Sequence, residues 1–231
     1  NNIASIQKAI LYGRTIFKSI RKFIVFQLTM NLCAVGISIL GPLIGVDTPV
    51  TVIQMLWINI IMDTLAGLAF AGEPPLAEYM KEPPKRRDEP VLNGYMAHQI
   101  VYMGVFTIAL FIMFLKMENF KLLFGFYRDP VYFMTAFFAL FIFCGVFNSF
   151  NARTRRINIL GGLTKNPLFI VVMGLVTGVQ FFLIYYGGTL FRTVGLSGED
   201  LKTVIALSLL VIPADFLRKL SLRLFGKKGE L

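Results

Sequence analysis

Six stretches of this chain, at about 23–45, 50–71, 96–117, 131–150, 167–187 and 201–217, are each apolar for close to twenty consecutive residues. A helix of roughly 20 residues crosses the ~30 Å hydrocarbon core of a bilayer. Backbone polar groups in lipid must be satisfied within the spanning element, so a chain with such runs folds as helices or as a closed barrel. A barrel strand alternates lipid-facing and lumen-facing residues, whereas these runs are continuous. The expected fold is an all-α membrane protein with six transmembrane helices. The last stretch is the least regular, because Pro213 and Asp215 interrupt its end. Composition agrees: 56% of residues are hydrophobic and 16% charged, with a mean hydropathy of +0.69. Soluble domains carry about 25% charge. The balance also excludes a disordered chain and a disulfide scaffold.

The net charge of +10 would by itself suit nucleic acid. The order of the spans gives it another meaning. Eighteen of the 23 Lys and Arg residues fall on one side of the expected membrane, in 1–22, 81–87, 153–165 and 218–228. Lys116, Lys121, Arg128, Arg192 and Lys202 fall on the other. Positive charge collects in cytoplasmic loops, so both termini are expected in the cytoplasm, with the lipid bilayer as partner and no nucleic acid. Residues 1–22 are polar, with Ile3, Ile6, Ile10 and Phe17 at roughly helical spacing. They read as a helix running into the first span, either an interfacial anchor or a lever from a soluble domain. The 72–94 connection contains five prolines and both signs of charge, and is expected to be a stiff cytoplasmic loop. Cys33 and Cys144 sit in apolar runs as small hydrophobes. The chain starts Asn1-Asn2 without a signal peptide, as a fragment of something longer would.

An ionisable group inside a span costs about 2.5–3.5 kcal/mol on insertion scales, so each calls for a reason. Asp63 is the one acid deep in a span. Asn59 lies four residues earlier, on the same helix face. Carboxylate and amide oxygens are the hard ligands that Ca²⁺ or Mg²⁺ prefers, but two residues cannot fill the roughly six to eight positions Ca²⁺ takes. Asn31 in the first span, with Gln27 one turn before it, is the nearest further source if the 46–50 turn makes the first two spans antiparallel. The competing reading of both amides is inter-helical hydrogen bonding, worth about 0.6 kcal/mol. For Asp63 it is a distant base, yet no Lys or Arg lies deep in a span.

Other polar features carry less. Gly174 and Gly178 suggest helix packing, His98 a solvated imidazole, and Asp215 a local ion pair with Arg218 or Lys219. The basic tail from Arg218 to Lys228 suits anionic lipid headgroups. There is no phosphate-binding loop, dinucleotide fingerprint or Ser/His/Asp arrangement, so no catalytic or cofactor-binding residue is expected in this chain.

Gly13-Arg14, Ile20-Arg21-Lys22-Phe23-Ile24 and Gln27-Leu28-Thr29-Met30-Asn31 together resemble the fifth membrane helix of P-type calcium ATPases. Gln54-Met55-Leu56-Trp57-Ile58-Asn59, Met62-Asp63-Thr64 and Glu73-Pro74-Pro75 resemble the sixth helix and the loop after it. Phe147-Asn148-Ser149-Phe150-Asn151-Ala152-Arg153 is similar to the end of the eighth. The plasma-membrane type fits best. The resemblance implies helices five to ten of a ten-helix Ca²⁺ pump, an ATPase only with the rest of its chain. ATP and Mg²⁺ would act through the absent cytoplasmic domains, and the absent fourth helix would add a Glu and backbone carbonyls to the ion site. Asn59 and Asp63 match ion-ligand positions, as does Asn31. Residues 1–22 become a stalk joining the phosphorylation domain to the ion site, and 23–231 the transport domain.

Two-site relatives carry Asn-x-x-Glu in the fifth helix, a hydroxyl before the sixth-helix Asp and a Glu in the eighth. Here those places hold Ala34, Met62 and no acid between Phe133 and Arg153, so one ion per cycle is expected. Mn²⁺ or another hard divalent cation could use the same oxygens. The short stretch after the last basic turn suggests a cell-membrane pump without calmodulin control. The alternative is a self-standing membrane scaffold or assembly subunit that shares the fold.

Overall fold

A computed structural model describes residues 2–226 and is helical throughout its regular structure, with no strand among the described residues. Five helices are long and apolar enough to cross a membrane. The first, α1, runs unbroken for 42 residues from Asn2 to Leu43. At 1.5 Å per residue it measures about 63 Å, twice the depth of a bilayer core. It stops where Gly45 takes a left-handed φ of 91° and the Val46 N–H returns to Gly41 O at 2.8 Å. That pattern satisfies carbonyls which the helix end leaves open.

The second span combines α2 (Val52–Ile60), a π-helical turn at Ile61–Leu65 and α3 (Ala66–Ala71). Thr51 and Gln54 form a reciprocal cap at its start, the Gln54 N–H donating to Thr51 Oγ1 at 3.2 Å and the Thr51 N–H to Gln54 Oε1 at 3.1 Å. Next come α4 (Gly94–Lys116), started by Asn93, and the short α5 (Glu118–Leu123). Pro130 and Pro167 occupy the first turns of α6 (Pro130–Arg153) and α7 (Pro167–Tyr186), where a missing N–H costs nothing. A single turn, α8 (Gly188–Phe191), closes the far side of α7.

The sixth expected span is not one helix. It divides into α9 (Gly198–Ser208) and α10 (Val211–Phe225). Pro213 has no N–H for Leu209 O, and its ring crowds that carbonyl. The backbone answers by tightening at 209–210, with the Leu210 N–H on Leu207 O at 3.2 Å and the Ile212 N–H on Leu209 O at 3.0 Å. Each half is shorter than a membrane crossing, so the sixth expected span takes the form of a broken pair of helices rather than one uniform helix.

Helix α6 forms the centre: Phe133 through Val146 are all buried. Lipid offers helices no hydrophobic reason to associate, so close packing must supply the attraction. Phe rings do much of it, with Phe114 stacked on Phe133 at 5.0 Å and Phe111 on Phe141 at 5.1 Å. Helices α1 and α4 approach closely through two glycines. A Cβ on Gly104 would run into the Leu32 side chain, and one on Gly36 into Ile108. The Gly174–Gly178 pair, expected at such a contact, instead faces open space, with nothing within 4 Å of a Cβ at either position.

Candidate functional site

Asp63 lies in the middle of the π-helical turn. There the Ala66 N–H reaches back five residues to Ile61 O, which inserts one extra residue into the span. Such turns cost helix regularity and cluster at functional sites. The two faces of this span differ. Ile58, Ile61 and Met62 are buried against Phe26, Met30, Phe141 and Ile142, around a void of only about 10 Å³. Asn59, Asp63 and Thr64 are exposed, on a face that none of the described helices covers.

Along one edge of this open face stands α1. Gln27 Nε2 donates to Asp63 Oδ1 at 2.7 Å, and among the described residues no Lys or Arg pairs with the carboxylate. Asn31, one turn further along α1, is half-buried and makes no hydrogen bond to Asn59 or Asp63. Of the two amides on the first span, the nearer to the N-terminus of the chain therefore holds the acid. Among the described residues no three His, Cys, Asp or Glu side chains gather closely enough to hold a metal ion. A cation at Asp63 would depend on amide and carbonyl oxygens, and on groups from the uncovered side.

A second constellation sits below the open face. Glu73 follows the second span, and its Oε1 accepts from Asn166 Nδ2 at 2.9 Å and lies 3.5 Å from Arg153 Nη1. Its Oε2 lies 3.5 Å from Lys22 Nζ. Asn166 also caps α7 and donates to Ala69 O at 3.1 Å, while Arg153 Nη2 donates to Ile159 O and Gly161 O. Burial pulls the Lys22 ammonium below the usual lysine range, and the Glu73 charge opposes that shift. Three distant parts of the chain thus converge on one carboxylate.

The 72–94 loop is held against α1 by three more cations. Arg14 Nη1 donates to Tyr79 O at 2.6 Å and Glu82 O at 2.8 Å, and Lys18 pairs with Glu82 at 2.8 Å. Arg21 Nη2 reaches Pro90 O at 3.1 Å and Glu89 at 3.3 Å. Tyr79 is buried beneath this clamp, which pushes its phenol up to about 12. The sequence holds the signal for this clamp, since 14, 18, 21 and 22 share one helix face opposite an acid-bearing loop. Reading those charges only as a membrane-orientation marker misses it.

Asp215 makes the expected local pair, but the pair is fully buried. Arg218 Nε donates to Asp215 Oδ1 at 2.8 Å and Lys219 Nζ lies 2.8 Å from Oδ2. Lys219 also donates to Asn151 O and Arg156 O. Lys219 is therefore tied to α6 and to the residues just after it, and Arg218 is buried on Asp215, so neither is available to lipid headgroups, while Lys227 and Lys228 lie outside the described residues. His98 is exposed and stacks on Tyr102.

Residues 47–221 match the family model of the C-terminus of cation-transporting ATPases. The chain is 32% identical over 225 residues to calcium-transporting ATPase 9, plasma membrane-type, of Arabidopsis thaliana, covering 95% of this chain and 21% of that protein. It is 35% identical over 222 residues to calcium-transporting ATPase 12, plasma membrane-type, of the same plant, with the same coverage. It is 34% identical over 208 residues to plasma membrane calcium-transporting ATPase 3 of Homo sapiens, covering 87% of this chain and 17% of the relative. The chain spans about a fifth of the length of the curated relatives it matches.

Proposed function

The chain belongs to the cation-transporting ATPase family through its C-terminal membrane region, and we propose that it is the transport half of an ATP-driven pump that exports Ca²⁺ across the cell membrane. The observation that carries this reading is Asp63. It is a lone carboxylate in a span, set at a π-helical turn, exposed on an uncovered face and without a basic partner among the described residues. A charge so placed costs several kcal/mol unless a cation compensates it. Asn59 and Asp63 contribute hard oxygens to that cation, and Asn31 braces or completes the set. Helices from the rest of the pump cover the open face and bring the remaining ligands.

The chemistry of ATP and Mg²⁺ belongs to the cytoplasmic part of the pump. Residues 1–22 act as the stalk that carries its motion, and 23–231 form the transport domain, with both termini in the cytoplasm. The continuity of α1 and the cationic clamp on the 72–94 loop support a lever rather than an interfacial anchor. One ion moves per cycle. In support, Ala34 and Met62 are buried in the apolar core and offer no oxygen for a second cation.

The test is Asp63→Asn in the full-length pump. The change removes the charge and nearly keeps the shape, so folding should survive while Ca²⁺-dependent phosphorylation from ATP collapses. Unchanged calcium activation in that variant would overturn the assignment.

A further inference from the structure

Resting on that reading of Asp63, we propose that Gln27 is itself a ligand of the transported cation, its side-chain amide turning from donor to acceptor as the cation arrives. Gln27 Nε2 lies 2.7 Å from Asp63 Oδ1, and this is the one hydrogen bond the Gln27 side chain makes among the described residues. The orientation follows from charge. An ionised carboxylate accepts only, so the amide N–H turns toward it and the carbonyl oxygen turns away.

A divalent cation reverses that preference. Bound at Asp63, it repels the N–H group and attracts the amide oxygen, which is a hard ligand of the kind Ca²⁺ takes. The last side-chain torsion of Gln is broad and roughly two-fold, so the turn needs no backbone movement and crosses no steep barrier. Gln27 Oε1 has no protein partner to give up among the described residues. Neither Asn59 nor Asn31 can perform this exchange, since neither is bonded to the carboxylate.

The position also matters. Gln27 stands on α1 five residues beyond Lys22, where the helix is clamped to the 72–94 loop and to Glu73. A ligand on α1 makes occupancy of the site felt directly on the helix that reaches the cytoplasm. The side chain serves the empty site by donating to the acid and the filled site by coordinating.

Equilibrium ⁴⁵Ca²⁺ binding to the purified full-length pump decides between a ligand and a mere donor. Gln27→Met keeps length and bulk but has neither amide group, and its Ca²⁺ affinity should fall by about tenfold or more. Gln27→Glu supplies oxygen but cannot donate when ionised, and it should recover most of that loss. Gln27→Asn keeps the amide on a shorter stem and should bind between the two extremes. If Gln27 serves only to hold Asp63 by donation, the order changes, with Asn the best of the three and Glu no better than Met. That order, or parent-like binding by the Met variant, would overturn the proposal. Thermal unfolding of each variant checks folding, and if the Met variant does not fold, Glu and Asn against the parent still separate the two roles. Unchanged binding in Asp63→Asn would instead remove the reading of the site on which this inference stands.

Discussion

Lys22 Nζ of α1 lies 3.5 Å from the carboxylate of Glu73, so the N-terminal half of α1 is tied to the end of the span that carries Asp63. Arg153 and Asn166 hold Glu73 from the opposite side. The carboxylate is therefore fixed to α6 and α7, and Lys22 is the contact that a moving α1 would make and break.

Glu73→Gln should be strongly destabilising. It leaves Arg153, whose side chain is only 2% exposed, without its counter-charge. Breaking one partner out of a buried pair costs about 3–5 kcal/mol. Lys22→Met should cost less, because Lys22 is partly solvated and Glu73 keeps its other partners. Thermal unfolding of the full-length pump in detergent ranks the two, and equal midpoints would contradict this asymmetry.

Softening α1 tests the lever. Ser19 is half-buried and Ile20 exposed, and no side chain of the clamp is lost by replacing them. Placing Gly-Gly there costs about 1 kcal/mol per Gly in helix propensity. Phosphoenzyme should still form while Ca²⁺ transport uncouples from it. Normal uptake per ATP would argue against a rigid lever.

Stoichiometry follows from the missing oxygens. ⁴⁵Ca²⁺ bound at equilibrium, divided by phosphorylation capacity, should give a ratio near one. A ratio near two would refute the single-ion reading.

Alkali should loosen the 72–94 loop. Burial raises Tyr79 to about 12 from an ordinary value near 10. The folded state thus retains a proton that the unfolded chain releases, so this contribution is whole below about pH 10 and is lost as the pH rises through about 12. Proteolysis of the loop should quicken across that window, and Tyr79→Phe should remove this part of the dependence. An identical profile in the variant would show that Tyr79 does not control it.

What the amino-acid sequence determines by itself is whatever a local rule expresses. Continuous apolar length makes helices of the spans, since unsatisfied backbone in lipid is prohibitive. Asn93, Asn166, Pro130 and Pro167 start helices because each acts within one turn of itself. Asp63 stands out because its cost in a span depends on depth alone. Pro213 and Asp215 already mark the irregular last span, though only the backbone shows the break at 209–210. Tertiary structure decides the contacts between distant turns. Gln27 rather than Asn31 meets Asp63 through the crossing of α1 with the second span and the extra residue of the π-helical turn. Gly36 and Gly104 pack while Gly174 and Gly178 do not, a distinction that spacing cannot express. Glu73 gathers Lys22, Arg153 and Asn166 from positions up to 93 residues away, and their polarity is legible in the sequence but their meeting is not. The reason is physical: helix formation and insertion depend on neighbours along the chain, whereas a buried charge is matched by whichever partner three-dimensional packing brings within reach.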